Sequence, residues 1–144
     1  MATRHLDLGG GATPRNPYSC DDVHVVDIVA SSEVDARHLR IANLSLEPIP
    51  YPDSSFHSVS AFDFLEHIPR VLATADGRST RFPFVELMNE VHRVLRPHGR
   101  FYALTPAYPS SETFQDPTHV NFIADETWRY FCGVQPQAQA YGFT

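Results

Sequence analysis

The passage that most constrains this chain is a short apolar run, His5-Leu6-Asp7-Leu8, that goes straight into Gly9-Gly10-Gly11. Three glycines at a strand end let the backbone turn sharply and come close to a ligand. The next run, Val23-His24-Val25-Val26-Asp27-Ile28, is rich in β-branched residues and bounded by polar ones, which predicts a second strand. Its Asp27 falls twenty residues after Asp7. A carboxylate there offers two acceptors to the two hydroxyls of a ribose, and Asp7 can accept from a ligand ammonium or from loop amides. The plainer alternative is a tight turn beside a surface aspartate. A dinucleotide reading is disfavoured, because the third glycine of its fingerprint would stand where the chain has Pro14. Pro14 and Pro17 also interrupt the helix whose N-terminus would receive a pyrophosphate.

Further along, strand-like and helix-like segments alternate. The pattern predicts a short helix over residues 33–40, a strand over 40–43, a proline-rich turn over 48–53 and a strand over 58–62. The clearest helix spans residues 84–95, where Val85, Met88, Val91 and Leu95 form one apolar stripe. Arg96-Pro97-His98-Gly99 breaks it, and residues 101–104 give a fifth strand. A last helix is expected over residues 126–132 with Asp125 as N-cap, then an extended stretch over 140–144. The strands read as continuous apolar runs, which indicates a mostly parallel sheet covered on both faces. The expected fold is therefore a single α/β domain over residues 1–144, Rossmann-like and doubly wound. Ligands of such sheets bind outside the carboxyl ends of the strands.

Composition narrows the partners. A formal net charge of −6, with the arginines dispersed, argues against a nucleic-acid binder, which needs a surplus of positive charge. The sequence has no run of the ~20 apolar residues that cross a bilayer, so no membrane partner is expected. The two cysteines, Cys20 and Cys132, lie in no metal or redox spacing, and the first residues lack an apolar signal core. A cytoplasmic location is the expectation.

In order along the chain, five segments resemble the motifs of class I S-adenosylmethionine (SAM)-dependent methyltransferases, most closely the type 11 group. They are Leu6-Asp7-Leu8-Gly9-Gly10-Gly11, Val25-Val26-Asp27-Ile28, Pro50-Tyr51-Pro52-Asp53-Ser54-Ser55-Phe56, Ala61-Phe62-Asp63-Phe64-Leu65-Glu66-His67-Ile68 and the stretch from Glu90 through Arg93-Val94-Leu95 to Gly99. The resemblance covers residues 6–105 and implies SAM as cofactor. It implies that Asp7, Gly9, Gly10 and Gly11 form the methionine-side cradle, that Asp27 holds the ribose and that Ile28 lies against the adenine. Asn43 and Leu44 stand where an acidic residue usually contacts the adenine amino group, and Phe62 would line the sulfonium side. Two departures stand out: Pro14-Arg15-Asn16-Pro17 replaces most of the usual first helix, and His57 replaces a structural aspartate.

Methyl transfer from a sulfonium needs a positioned acceptor and, where a proton must leave, a base. His119, in Asp116-Pro117-Thr118-His119, is the first candidate and His67 the second. Each also suits a purely structural part, pinning a loop or packing beside the cofactor. Eight histidines invite a metal, yet no metal-ligand spacing is present, so no metal is expected. The implied reaction is methylation of a small-molecule acceptor at O or N. The alternative is a catalytically inactive SAM-binding regulatory or assembly protein. The full class I fold has seven strands; this sequence supplies five and an aromatic tail, so a C-terminally shortened fold is expected. Tyr141 and Phe143 on an edge strand would be a liability in a monomer, hence a homodimer through the C-terminal edge is expected.

Overall fold

The structure is a computed structural model that describes residues 2–144, so of the expected domain only Met1 lies outside it. Strands β1 (Arg4–Leu8), β2 (Asp22–Asp27), β3 (Leu39–Ile41) and β4 (Phe56–Phe62) precede a hairpin of β5 (Leu72–Ala73) and β6 (Thr80–Arg81). Helix α1 (Pro83–Val94), strand β7 (Leu95–Leu104) and a one-turn helix α2 (Glu112–Gln115) follow, with 3-10 turns at Leu65–His67, Asp125–Tyr130 and Gln137–Tyr141. The five long strands form one parallel sheet in the order β3-β2-β1-β4-β7. This is the Rossmann-like arrangement: the order reverses at β1, and a crevice opens between the carboxyl ends of β1 and β4. No helix among the described residues is long and apolar enough to cross a membrane.

The two faces of the sheet are covered differently. Leu6, Leu8, Val26, Val59 and Ala61 alternate onto one face and pack with Phe84, Leu87, Met88, Val91 and Val94 of α1 in one buried cluster. The apolar stripe of α1 is thus centred on Phe84, Leu87 and Val94 as well as Met88 and Val91, whereas Val85 and Leu95 sit at its margins. On the other face the residues opposite are polar: His5, Asp7, Ser58 and Ser60 are all buried. A loop covers them where a helix would be expected. Its Arg15 N–H donates to Asp7 Oδ2 at 2.7 Å, and Cys20 Sγ meets Ser58 Oγ at 3.3 Å. Burying polar groups under irregular chain works only if they bond each other. Asp7 Oδ1 accepts Ser60 Oγ–H at 2.5 Å, and His5 bridges Ser58 Oγ and Ser60 Oγ at 2.7 and 2.8 Å.

Several expected elements differ. Residues 33–40 form no helix: no side chain there is buried to anchor an apolar stripe, and Asp35 Oδ1 accepts Arg37 N–H in a local turn instead. The third strand is Leu39–Ile41, not 40–43. Pro97-His98-Gly99 lies within β7 as a bulge against β4, with His98 at φ 65. The helix expected over 126–132 is a 3-10 turn, Asp125–Tyr130, that begins at Asp125 itself with Ala124 in the cap position. Residues 140–144 form no strand. Phe143 stacks edge-on against Phe131 at 5.3 Å, and Asn89 of α1 bonds Gly142 O and Thr144 N at 2.8 and 3.0 Å. The tail therefore lies along the flank of α1, and residues 140–144 supply no edge strand of the kind on which a homodimer was expected. His57, in place of the usual aspartate, accepts Arg4 N–H through Nδ1 at 3.0 Å and so ties β4 to β1.

Candidate functional site

At the strand-order reversal the backbone leaves β1 through Gly9, whose N–H donates to Val26 O at 2.8 Å. Gly9 has φ +70, and a Cβ there would meet Phe64 Cδ2 at 2.6 Å, so Phe64 packs directly on the turn. At Gly10 a Cβ would lie 2.6 Å from Asp7 Oδ2. Gly11 faces open space. Asp7 is buried, and desolvation pushes its carboxyl above the usual range despite the bonds from Ser60 and Arg15.

Two hollows flank this loop. The first, about 250 Å³, is lined by Asp7, Gly9, Gly10, Thr13, Arg15, Phe62 and Asp63. Across it the Arg15 guanidinium lies 4.6 Å from the Phe62 ring centroid and 3.9 Å from Asp63 Oδ2, so a cation is already held between an aromatic face and a carboxylate. The second, about 370 Å³, is lined by Gly11, Ala12, Asp27 and residues 29–33. Asp27 accepts Gly11 N–H on Oδ2 and Val29 N–H on Oδ1, both at 3.0 Å. Each oxygen keeps a second lone pair, so the carboxylate is fixed in orientation and still able to accept from a diol.

The structure thus brings Asp7, Gly9, Gly10, Gly11, Asp27 and Phe62 to one end of the sheet. Ile28 follows Asp27 and is 65% exposed, with no protein surface over it. Asn43 is exposed at the start of a turn, and its Oδ1 accepts Ser45 N–H at 3.1 Å. Leu44 differs in kind: its side chain is in the hydrophobic core, which leaves only its backbone to face a ligand. Arg15, Thr13, Asp63 and residues 29–33 were not anticipated as lining. The one signal for Arg15 is a lone cation four residues after Gly11.

His67 and His119 come together although 52 residues separate them in sequence. Their ring centroids are 4.9 Å apart, beside the buried Glu66. The loop bearing His119 is fastened to the Leu65–His67 turn: Val120 and Asn121 N–H both donate to Glu66 O, at 2.8 and 3.0 Å, and Asn121 Nδ2 donates to Leu65 O at 3.0 Å. His119 Nδ1 donates to Thr113 O at 3.2 Å, so one nitrogen pins the loop while Nε2 remains a lone pair. A separate groove of about 360 Å³ lies among Phe82, Phe84, Tyr130, Phe131 and Tyr141. Its only charge, Arg70, is already committed to Asn121 Oδ1 and Phe122 O.

Comparison with known proteins agrees with this fold. A family model described as "Methyltransferase domain" matches residues 6–103. Among solved structures, the chain is similar to the YcgJ protein from Bacillus subtilis, with TM-score 0.57 and 21% identity over 88% of this chain and 58% of that one. It is similar to a SAM-dependent methyltransferase from Archaeoglobus fulgidus, with TM-score 0.62 and 16% identity over 90% and 58%. A putative methyltransferase from Haloferax volcanii, solved with the Trm112 methyltransferase activator, has TM-score 0.59 and 18% identity over 89% and 58%. The chain thus spans about 58% of the length of each. No curated protein matches it by sequence.

Proposed function

Since the chain belongs to the methyltransferase-domain family, whose cofactor is SAM, we propose that it transfers the SAM methyl group to an oxygen or nitrogen of a small-molecule acceptor. The observation that carries this reading is the paired hollow at the strand-order reversal. One half offers an oriented carboxylate to a ribose diol, and the other offers an aromatic face and carboxylates suited to a cation. The sulfonium and ammonium of SAM are cations, and Phe62 with Asp7 and Asp63 forms the matching surface once the half-exposed Arg15 guanidinium, which occupies it here, swings aside. Asp27 holds the ribose, Gly9, Gly10 and Gly11 lie under the methionine, Ile28 covers the adenine, and Asn43 and the Leu44 backbone reach its edge.

On the acceptor side, His119 Nε2 is the atom free to take a proton from a hydroxyl or ring nitrogen, with His67 beside it. The donor is already activated, so this proton and the in-line placement of the acceptor are the work left to the protein. Isothermal titration with SAM, followed by a screen for S-adenosylhomocysteine release over acceptor pools, tests the reading. Absence of SAM binding rejects it. Binding without turnover on any pool assigns the chain to the non-catalytic SAM-binding reading instead.

A further inference from the structure

Beyond the cofactor hollows, the cluster of Glu66, His67 and His119 has an unbalanced set of lone pairs. Glu66 is 1% exposed; its Oε2 accepts Thr105 Oγ1–H at 3.0 Å, but its Oε1 has no hydrogen-bond partner. A buried carboxylate oxygen left without a donor is costly, and something positive normally answers it.

The two histidines do not supply that donor. Thr113 O, a carbonyl, only accepts, so Nδ1 of His119 carries a proton and Nε2 is the lone-pair nitrogen of the neutral ring. Thr118 Oγ1 has a single hydrogen, given to Asp116 Oδ1 at 2.6 Å, so it must accept from His67 Nδ1 at 3.0 Å. In the neutral ring His67 Nε2 is therefore the lone-pair nitrogen as well. One ligand atom from each of Glu66, His67 and His119 falls within 4.8 Å of the others, and His119 Nε2 is 4.0 Å from Glu66 Oε1.

We propose that Glu66, His67 and His119 bind one divalent transition-metal ion of borderline softness, such as zinc. Two neutral imidazoles and a carboxylate are the donors such ions take, and three protein ligands leave a coordination position open. The outer partners fit too: ligating histidines tie their other nitrogen to a carbonyl or to a carboxylate-linked group, as His119 does to Thr113 O and His67 does to Thr118 and Asp116. Neighbouring ligand atoms around zinc stand about 3.3 Å apart, so side-chain rotations of roughly 1 Å close the set.

A second histidine-carboxylate group, Asp22, His24 and His38, lacks this property. There Arg4 already supplies the cation, with Nε 3.3 Å from Asp22 Oδ2 and Nη2 2.9 Å from His24 Nε2. Asp22 Oδ1 meets His38 Nε2 at 3.1 Å, so the group is an ion-pair network complete in itself.

The metal site rests on these side chains and not on the SAM reading, although a bound ion would take the His119 Nε2 lone pair that the reaction otherwise uses as base. The test is zinc titration of the tag-free chain by calorimetry, with cobalt absorption as a report of coordination and SAM binding measured in parallel. One zinc per chain is expected, and His119→Ala and Glu66→Gln should each weaken it at least about tenfold. Glu66→Gln keeps the shape of the buried side chain, and circular dichroism checks that both variants fold. His38→Ala should leave zinc affinity unchanged. No zinc binding by a chain that still binds SAM overturns the metal site alone, as does binding lost in His38→Ala but kept in His119→Ala.

Discussion

A methyl group at position 10 would press on Asp7 Oδ2 at 2.6 Å, and the same oxygen accepts the Arg15 N–H that closes the loop over the sheet. Gly10→Ala is therefore expected to cost about 1–3 kcal/mol, as overpacking against a fixed group does. Gly11→Ala meets no atom within 4 Å and is charged only for its φ of +54, about 1 kcal/mol. Urea unfolding of the two variants checks this ranking; equal losses would mean that Asp7 can move aside. His5 makes a pH prediction at the same scale. Burial lowers its pKa from 6.5 to about 4, so below pH 6.5 the unfolded chain takes up a proton that the folded chain refuses. Its contribution is fully present above pH 6.5 and is lost as pH falls toward about 4. Between pH 7 and pH 5 this amounts to about 2 kcal/mol. His24, also lowered by burial, adds in the same sense, whereas the raised Asp7 opposes it at more acid pH. Denaturant unfolding at both pH values should show a smaller difference in His5→Gln, and an unchanged difference would remove His5 as the cause. His5 and Asp7 were legible as strand residues, and Asp7 as the one nearest the glycine turn. That they form a buried polar face was not legible, because the loop that covers them replaces a helix.

The α1 helix shows how an element can be read correctly and its purpose missed. Its spacing gave the boundaries to within a residue, yet the apolar stripe assigns no part to Glu90 and Arg93, which lie off it. In the structure they clamp the proline-rich turn before β4. Glu90 Oε2 accepts Ile49 N–H at 2.8 Å, and Arg93 donates to Ile49 O, Tyr51 O, Asp53 Oδ1 and Glu90 at 2.6 to 2.9 Å. A turn with Pro48, Pro50 and Pro52 has too few backbone donors to organise itself, so a guanidinium that satisfies its carbonyls does so instead. Arg93→Met keeps the aliphatic stem and removes the donors. It should cost about 2–4 kcal/mol, since Glu90 and two carbonyls lose their partner. Thermal unfolding reads this directly, and a loss below about 0.5 kcal/mol, the surface-substitution range, would show that the clamp is ornamental. Elements with no apolar stripe, such as residues 33–40, were misread because local turn chemistry outcompeted a weak helix. The tail over 140–144 was misread because Phe131 and Asn89, both distant in sequence, decide where it lies.

At the scale of the whole molecule, alternation of apolar runs foretold the parallel sheet, but not its order. The order places the carboxyl ends of β1 and β4 side by side and so unites residues 7–11 with residues 62–64. A ligand spanning both hollows contacts the loop, β2 and β4 at once, so binding should stabilise the whole chain and not one segment. SAM at one hundred times its Kd would add about 2.7 kcal/mol, a rise in Tm of roughly 5–10 °C for a chain of this size. Asp27→Asn keeps one acceptor for the Gly11 or Val29 amide, so the ligand-free chain should lose only a little stability while most of the SAM shift disappears. A dinucleotide such as NAD should give no shift, because Pro14 stands where its pyrophosphate loop requires glycine. Thermal melts of wild type and Asp27→Asn with SAM and with NAD separate these cases. A NAD shift equal to that of SAM, or a SAM shift untouched by Asp27→Asn, would mean that the hollow beside Asp27 is not where the ribose lies.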